Sequence, residues 1–576
     1  MQRIKLSMTV CLMVIVSILA VFALINLSYP RTDTMYSTID SDMVYVHASG
    51  LSETSESVVY SGRDNDDLSL EDMLSNGICT AYIYIEGYLQ PDEILIFSPD
   101  ELTLDNLLVM ANRRRQVIHV PDMEQIQKWI NSREPITLDG TRLFGSERTT
   151  GMSAEDAAED INTFFELLRH IYAAYHHFGG DEVFIPLRDD MLEEIANNER
   201  WTDTQLAELI QNRLGEIIAD YHFIVNTYSG STFGNPHYSF ILDIPFDRSE
   251  RGFRMRDTGM YVLYAQEHDI YNLFRLTMNE YGKLFYAPFI FRRAAEGTRY
   301  ILNITFEDGS QISEELTRIT HRRTHPRGET SSLRFENGIP IVSIRRMGDS
   351  FNPYALRYQE AVQVLSYADQ LRNEPIIIVD IRSNEGGASA FSYKWLYKLT
   401  GELVPANHKW LGLHDTEILT QRARRPQSWY RGFSQRAGFD FQYPPELFGR
   451  YLHMEPIGNN ITFTAREAWD RVIQNDQVII VLIDRFTISA GETFADQFSN
   501  IKNTLIIGQN TFGMLLTSSG LPLYLPNSGI PVRMGRFLLY HPDGVWEEGV
   551  GIAPDIWVTG DALSAALALL NQTTPP

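Results

Sequence analysis

With 576 residues the chain exceeds what one hydrophobic core can organise, so several domains are expected. Its 44% hydrophobic and 21% charged content, with 28 Tyr, 30 Phe and 8 Trp, supplies ample core material and argues against wholesale disorder. A formal net charge of −25 argues against a nucleic-acid partner, which needs a concentrated basic face; Arg113–Arg115 and Arg422–Arg425 read as solvated clusters.

Met8–Leu27 carries no charge, follows Arg3 and Lys5, and is long enough to cross a bilayer. The basic flank, set against Asp33, Asp40 and Asp42 beyond, puts the N-terminus in the cytoplasm and the body outside. Val21-Phe22-Ala23 offers a signal-peptidase site, but the apolar run continues through Leu27. Residues 1–27 are therefore expected to be an uncleaved transmembrane anchor, with a cleaved signal peptide as the alternative. In either case the body is exported. Residues 28–67 are polar and rich in Ser, Thr and Asp, and read as a linker.

Of two cysteines, Cys11 lies in the apolar segment and Cys79 stands alone in the body, so neither a disulfide framework nor a cysteine metal site is expected. HExxH, P-loop and dinucleotide glycine patterns are absent, and neither metal nor cofactor is expected. Residues 68–150 read as a small α+β module, with strands at Thr80–Glu86 and Glu93–Phe97 and a helix at Asp122–Asn131.

Residues 151–222 change character. Ser153 and Asp156 make a capping signal, and Ile161, Phe164, Phe165, Leu168, Ile171, Tyr172 and Tyr175 recur at helical spacing. A second helix is expected near Leu187–Ala196 and a third after Thr202-Asp203. This helical domain ends at Asp220-Tyr221-His222. Residues 223–331 read as a β-rich module, with Tyr300–Phe306 alternating before the turn Glu307-Asp308-Gly309-Ser310.

From residue 332 to 576 the pattern is strand–helix–strand. Ile341–Ile344 and Ile376–Ile381 are apolar strands separated by a helix after Asn352-Pro353, which implies a parallel pair. Val478–Ile483 is a further β-branched run buried on both faces. A short turn then leads to Ser489 at the start of a helix. There its hydroxyl can stand at the mouth of the sheet, or it can serve as an N-cap paired with Glu492. Residues 401–471 form an aromatic-rich insertion too long for a plain loop, read as a lid or groove wall.

Four fragments line up in this region: Asp380–Gly387 (DIRSNEGG), Thr487–Glu492 (TISAGE), Gly508–Gly513 (GQNTFG) and Glu548–Ile556 (EGVGIAPDI). Together they resemble the C-terminal-processing and tricorn-type serine peptidase family, and Asp220-Tyr221-His222 resembles its D-x-H element. The resemblance implies a multidomain α/β protein with a ClpP/crotonase-like peptidase core. It implies a serine endopeptidase acting on protein or peptide substrates. Ser489 would be the nucleophile, and the N–H of Ala490 with an N–H of Gly386-Gly387 would form the oxyanion hole. Many members place a lysine base directly after the third fragment. Here that position is Met514, and a thioether cannot take the proton. The histidine-containing branch supplies the other solution: His222 as base and Glu548 as its orienting carboxylate, with Glu547 as a neighbour that could take its place. Lys502 competes by chemistry but sits on the strand side of the helix. The closing strands at Glu296–Leu316 resemble a PDZ domain, without a recognisable carboxylate-binding loop, so the module at 223–331 is expected to be a degenerate PDZ-like one.

Two further readings compete. One is a peptidase-like protein that binds peptides or apolar ligands without turnover, favoured by Met514. The other is a crotonase-like acyl-CoA enzyme, which does not account for Ser489, Glu548 and the export signal together. Substrate, cleavage preference and oligomeric state leave no mark in the sequence.

Overall fold

A computed structural model describes residues 45–50, 58–61, 78–83, 103–114 and 143, and from 150 to 573 all but short gaps and most of 414–471. The expected anchor Met8–Leu27, the strand Glu93–Phe97, the helix Asp122–Asn131 and the greater part of the insertion at 401–471 lie outside the described residues. Among the described residues no helix is long and apolar enough to cross a membrane. The stretch expected as a linker contributes two strands, Tyr45–Gly50 and Val58–Ser61, which form a three-stranded sheet with Ile78–Ile83. Short β-branched and aromatic runs (Val44-Tyr45-Val46, Val58-Val59-Tyr60) specify them, although the flanks are polar enough to read as linker.

Among the described residues the central sheet has twelve strands, ten of them along one path, with Phe246–Ser249 and Gly252–Met255 joined to it off that path. In chain order the ten are β1 (His237–Ile241), β2 (Phe274–Met278), β3 (Leu284–Arg293), β4 (Thr317–Arg318), β5 (Ser332–Glu336), β6 (Ile339–Ser343), β7 (Ile376–Asp380), β8 (Val478–Ile483), β9 (Thr504–Gly508) and β10 (Ile556–Val558). Their spatial order is β4-β1-β3-β2-β10-β9-β8-β7-β6-β5. The pairs from β6 to β10 are parallel, as is β10 with β2, and the outer pairs are antiparallel. β8 lies between β7 and β9, with Ile376 opposite Val478 and Ile479 opposite Thr504.

The helices are α1 (Leu104–Arg114), α2 (Ala154–Ile171), α3 (Gly180–Ala196), α4 (Asp203–Leu214), α5 (Leu356–Leu371), α6 (Ser389–Thr400), α7 (Ala490–Phe498) and α8 (Ala562–Thr573). Alternation along the strands feeds two cores. Ile377, Val379, Ile479, Val481 and Ile483 pack beneath α5, α6 and α7, while Ile378, Ile480, Leu482 and Leu505 pack beneath α1 and α8. A sheet covered on both faces needs apolar residues at every position, which is why β8 reads as an unbroken apolar run.

The helical unit has the expected spacing. Ser153 caps α2, accepting the Asp156 N–H at 3.1 Å, and Ile161, Phe164, Leu168 and Tyr172 are buried. α3 begins at Gly180, earlier than expected, and α4 follows the Thr202 cap. This unit shares its core with Leu516, Leu523, Ile530, Val532 and Met534 from the C-terminal half. Two devices fasten the halves. Val225 pairs with Val532 in an antiparallel contact, and the buried Asp160 accepts the N–H groups of Asn527 and Ser528 at 2.8 Å each.

The region 223–331, expected as a separate β-rich module, divides. β1 to β4 extend the central sheet, with Thr277 of β2 opposite Trp557 of β10. Val262–Ala265, Ile301–Phe306 and Gln311–Glu315 form a small antiparallel sheet of their own. Even so, Leu302, Ile304 and Phe306 share the core that lies beneath the central sheet. Alternation marks a strand but does not name its partner, so the continuity left no trace in the pattern.

Candidate active site

Ser489 follows β8 through the turn 484–488. Asp484 fixes that turn. Its carboxylate accepts the N–H groups of Ser383 at 2.7 Å and Phe486 at 2.9 Å, and the hydroxyls of Ser383 at 3.1 Å and Thr324 at 3.0 Å. Ser489 itself has φ 51° and ψ −117°, a left-handed setting rare outside glycine. Such strain persists only where the surroundings over-determine it, and it clusters at functional sites. Glu492 supplies the restraint. Its buried carboxylate accepts the N–H groups of Ser489 (2.8 Å), Gly513 (2.6 Å) and Met514 (2.9 Å) and the hydroxyl of Thr511 (2.6 Å). The expected cap is therefore also a hub joining the serine turn to the 511–514 turn. Burial pushes the Glu492 carboxyl up, against the pull of these donors.

His222 Nε2 lies 3.1 Å from Ser489 Oγ. The helical unit brings it there, since residues 224–225 are zipped to 531–533. Burial holds the imidazole below its usual value, with the Asp220 charge and the Thr517 backbone acting in the opposite sense. Nδ1 of His222 is buried, and apart from the nearby Thr517 backbone it meets no partner in good hydrogen-bond geometry among the described residues. The Tyr221 ring meets Phe512 at 4.7 Å between centroids and walls the approach.

Glu548 lies in the same neighbourhood, but its carboxylate is occupied with backbone. It accepts the N–H of Tyr221 at 2.7 Å, of Leu515 at 3.1 Å and of Leu516 at 2.8 Å. Its link to His222 thus runs through the Tyr221 backbone. Burial, and then the Asp220 charge, push the Glu548 carboxyl well up. Glu547, the neighbour considered in its place, faces the other way, 3.5 Å from both His237 and Arg293.

Of the glycine pair, Gly386 has φ 72° and Gly387 φ 134°. The Gly386 N–H is taken by Asn384 Oδ1 at 2.8 Å. Among the described residues no hydrogen bond engages the N–H of Gly387 or of Ala490. The Ala490 N–H also heads helix α7, where the macrodipole favours negative charge. A β-carbon on Gly386 would stand 3.3 Å from Ser489 Cβ and 3.4 Å from Ala490 N, so the glycine turn lies directly against the serine turn.

Met514 occupies the lysine position and is held by its N–H on Glu492. Lys502 precedes β9, whose Thr504 pairs with Ile479, at the start of β8. Ser489 follows the far end of β8, roughly a strand's length away at ~3.3 Å per residue.

Charged residues to which the sequence analysis gave no role also shape the site. Asp220 is fully buried and accepts the His222 N–H, the Tyr172 hydroxyl and the Thr517 hydroxyl, each at 2.8 Å. Arg485 donates to the carbonyls of Thr511, Gly549 and Val550, binding the turns that follow β9 and precede β10. Burial pushes its guanidinium down to about 10, with Glu492 opposing. Arg345 and Arg382 converge on buried Asp380 beneath the glycine turn. Burial alone would raise that carboxyl, but Arg382, His325 and Arg345 hold it well below the usual range. Asp220, Asp380 and Arg382 lay within quoted fragments, whereas for Arg345 and Arg485 the only signal was a charged side chain beside an apolar run. Among the described residues no group of three or more His, Cys, Asp or Glu is arranged to hold a metal ion.

Residues 341–558 match Peptidase family S41. No curated protein matches the chain. Among solved structures, mature CPAF aligns at 14% identity over 73% of this chain and 99% of that one, with a TM-score of 0.37. The photosystem II D1 C-terminal processing protease aligns at 12% identity over 73% and 98%, with a TM-score of 0.33. The tricorn protease aligns at 13% identity over 73% of this chain and 37% of that one, with a TM-score of 0.28.

Proposed function

We propose that the chain is a serine endopeptidase working through Ser489 and His222 on the outer side of a membrane, a reading supported by the match of residues 341–558 to Peptidase family S41. The observation that carries the reading is the 3.1 Å contact between His222 Nε2 and Ser489 Oγ, in a chain with methionine at the lysine position. Ser489 Oγ attacks the scissile carbonyl carbon while its proton passes to His222 Nε2. The oxyanion settles on the N–H groups of Gly387 and Ala490, both free of other hydrogen bonds among the described residues. His222 then gives its proton to the departing amine, and water repeats the sequence to release the acyl group. Glu548 supports this indirectly by holding Tyr221 and the 515–516 backbone. The substrate is an extended peptide laid beside Gly386. Met8–Leu27, uncharged and preceded by basic residues, anchors or exports the body.

The test is labelling of the purified full chain with a fluorophosphonate probe. Wild type labels covalently, Ser489→Ala does not, and His222→Ala labels at a rate lower by about 10³-fold or more. Wild type that never labels removes the endopeptidase reading and leaves the peptide-binding one, which Met514 favours.

A further inference from the structure

We infer that Asp220, rather than Glu548, is the carboxylate that sustains the charged state of His222; it is a positioning residue, and the inference rests on His222 being the base. When His222 takes the serine proton, a buried imidazolium forms. Its Nδ1 has no carboxylate partner among the described residues, so the compensating charge acts through space. Glu548 is badly placed for that role, because its two oxygens already accept three backbone N–H groups. Asp220 sits two residues before the imidazole in the same tight turn. Its Oδ1 holds the His222 N–H and its Oδ2 holds Tyr172 and Thr517.

These partners come from three separate parts of the chain: the C-cap of α2, the D-x-H turn and the 515–517 segment. Tyr172 is fully buried and Thr517 nearly so, so the carboxylate is shielded from water and its field is little screened. The other ionisable groups facing this pocket are Ser489, Tyr221, Glu548 and Glu492, with Arg485 beyond Tyr221. The burial-driven depression of the His222 pKa is opposed first by Asp220, and Glu548 does not figure among its causes.

The substitution Asp220→Asn tests this with little change of shape. The amide oxygen still accepts the His222 N–H, and the amide nitrogen can donate to the hydroxyls of Tyr172 and Thr517, which reverse roles. The readout is the second-order rate of fluorophosphonate labelling of the full chain between pH 4.5 and 9. Asp220→Asn should shift the ascending limb to lower pH by about one unit or more and lower the plateau roughly 10- to 100-fold. Glu548→Gln should leave the limb in place, because its effect is on backbone alignment. An unmoved limb in Asp220→Asn, or a limb moved by Glu548→Gln instead, overturns the inference. If Asp220→Asn does not fold, Tyr172→Phe serves. It keeps the charge but removes one donor that disperses it, so the limb should move to higher pH, and a move to lower pH refutes the assignment. If His222→Ala keeps the wild-type profile, the base assignment itself has failed, a result distinct from an unmoved limb in Asp220→Asn.

Discussion

Gly386→Ala separates a glycine needed for the turn from a glycine needed for the nucleophile. At φ 72° an alanine costs roughly 1–2 kcal/mol for the left-handed setting. Its Cβ would stand 2.9 Å from the Ile488 carbonyl oxygen, 3.3 Å from Ser489 Cβ and 3.4 Å from Ala490 N. The first contact is too short to persist, and its partner is backbone, so residues 488–490 must retreat by a few tenths of an ångström. The native state therefore loses roughly 2–3 kcal/mol in all. The same retreat lengthens the 3.1 Å contact between Ser489 Oγ and His222 Nε2 and swings the Ala490 N–H away from the oxyanion. A displacement of 1 Å costs on the order of 100-fold in rate, so a few tenths should cost about 4- to 10-fold. Urea unfolding gives the first quantity and the fluorophosphonate labelling rate the second. A variant that loses ~2 kcal/mol yet labels at the wild-type rate would falsify the claim that this glycine sets the nucleophile. Gly387→Ala is the poorer probe. With φ 134° and a Cβ 2.4 Å from the Met347 carbonyl oxygen, it should lose so much stability that rate and folding are no longer separable.

Two further outcomes follow from the same geometry. Burial holds the His222 pKa below the ordinary value of about 6.5, so the wild-type labelling rate should rise with a midpoint below that pH; a midpoint at 7 or above contradicts it. The unfolded chain takes the proton first, so this group's contribution to stability is full above about pH 6.5 and is lost as pH falls through the folded value. Urea titrations of wild type and His222→Ala should therefore diverge toward neutral pH. Asp160→Ala should cost roughly 2–4 kcal/mol by leaving the N–H groups of Asn527 and Ser528 without their acceptor. It should also lower labelling, because it loosens the docking that carries His222; unchanged labelling would show that the β-contact at Val225 suffices alone.

The parts legible in the sequence were those where one residue type has one physical use. An unbroken β-branched run such as Val478–Ile483 fits only a strand covered on both faces, and it has a parallel neighbour on each side. Strand, turn and helix around Ser489 were readable for the same reason, as were the helices at 154–171 and 203–214 from their caps and spacing. Partners were not legible. Nothing in Thr277 announces that it lies opposite Trp557, so strands of 237–318 were assigned to a module of their own. Carboxylates were the second blind spot. Glu548 and Glu492 stood out as acids near the chemistry, but their partners are backbone N–H groups, which every residue has and no motif spells. Asp220 lay in the recognised D-x-H fragment, yet its tie to Tyr172 depends on a turn 48 residues away.

Ser489 and His222 are 267 residues apart. Closing so long a loop is entropically slow, although each doubling of length adds only about 0.6 kcal/mol. A chain made from its N-terminus presents His222 long before Ser489, and the parallel strand Ile556–Val558 is made later still. His222 reaches Ser489 only when the 531–533 strand is available to zip residues 224–225 into place. On the proposed pairing of Ser489 with His222, high contact order becomes a safety interlock: a half-made polypeptide would hold the histidine, and even the serine, and still be unable to cut.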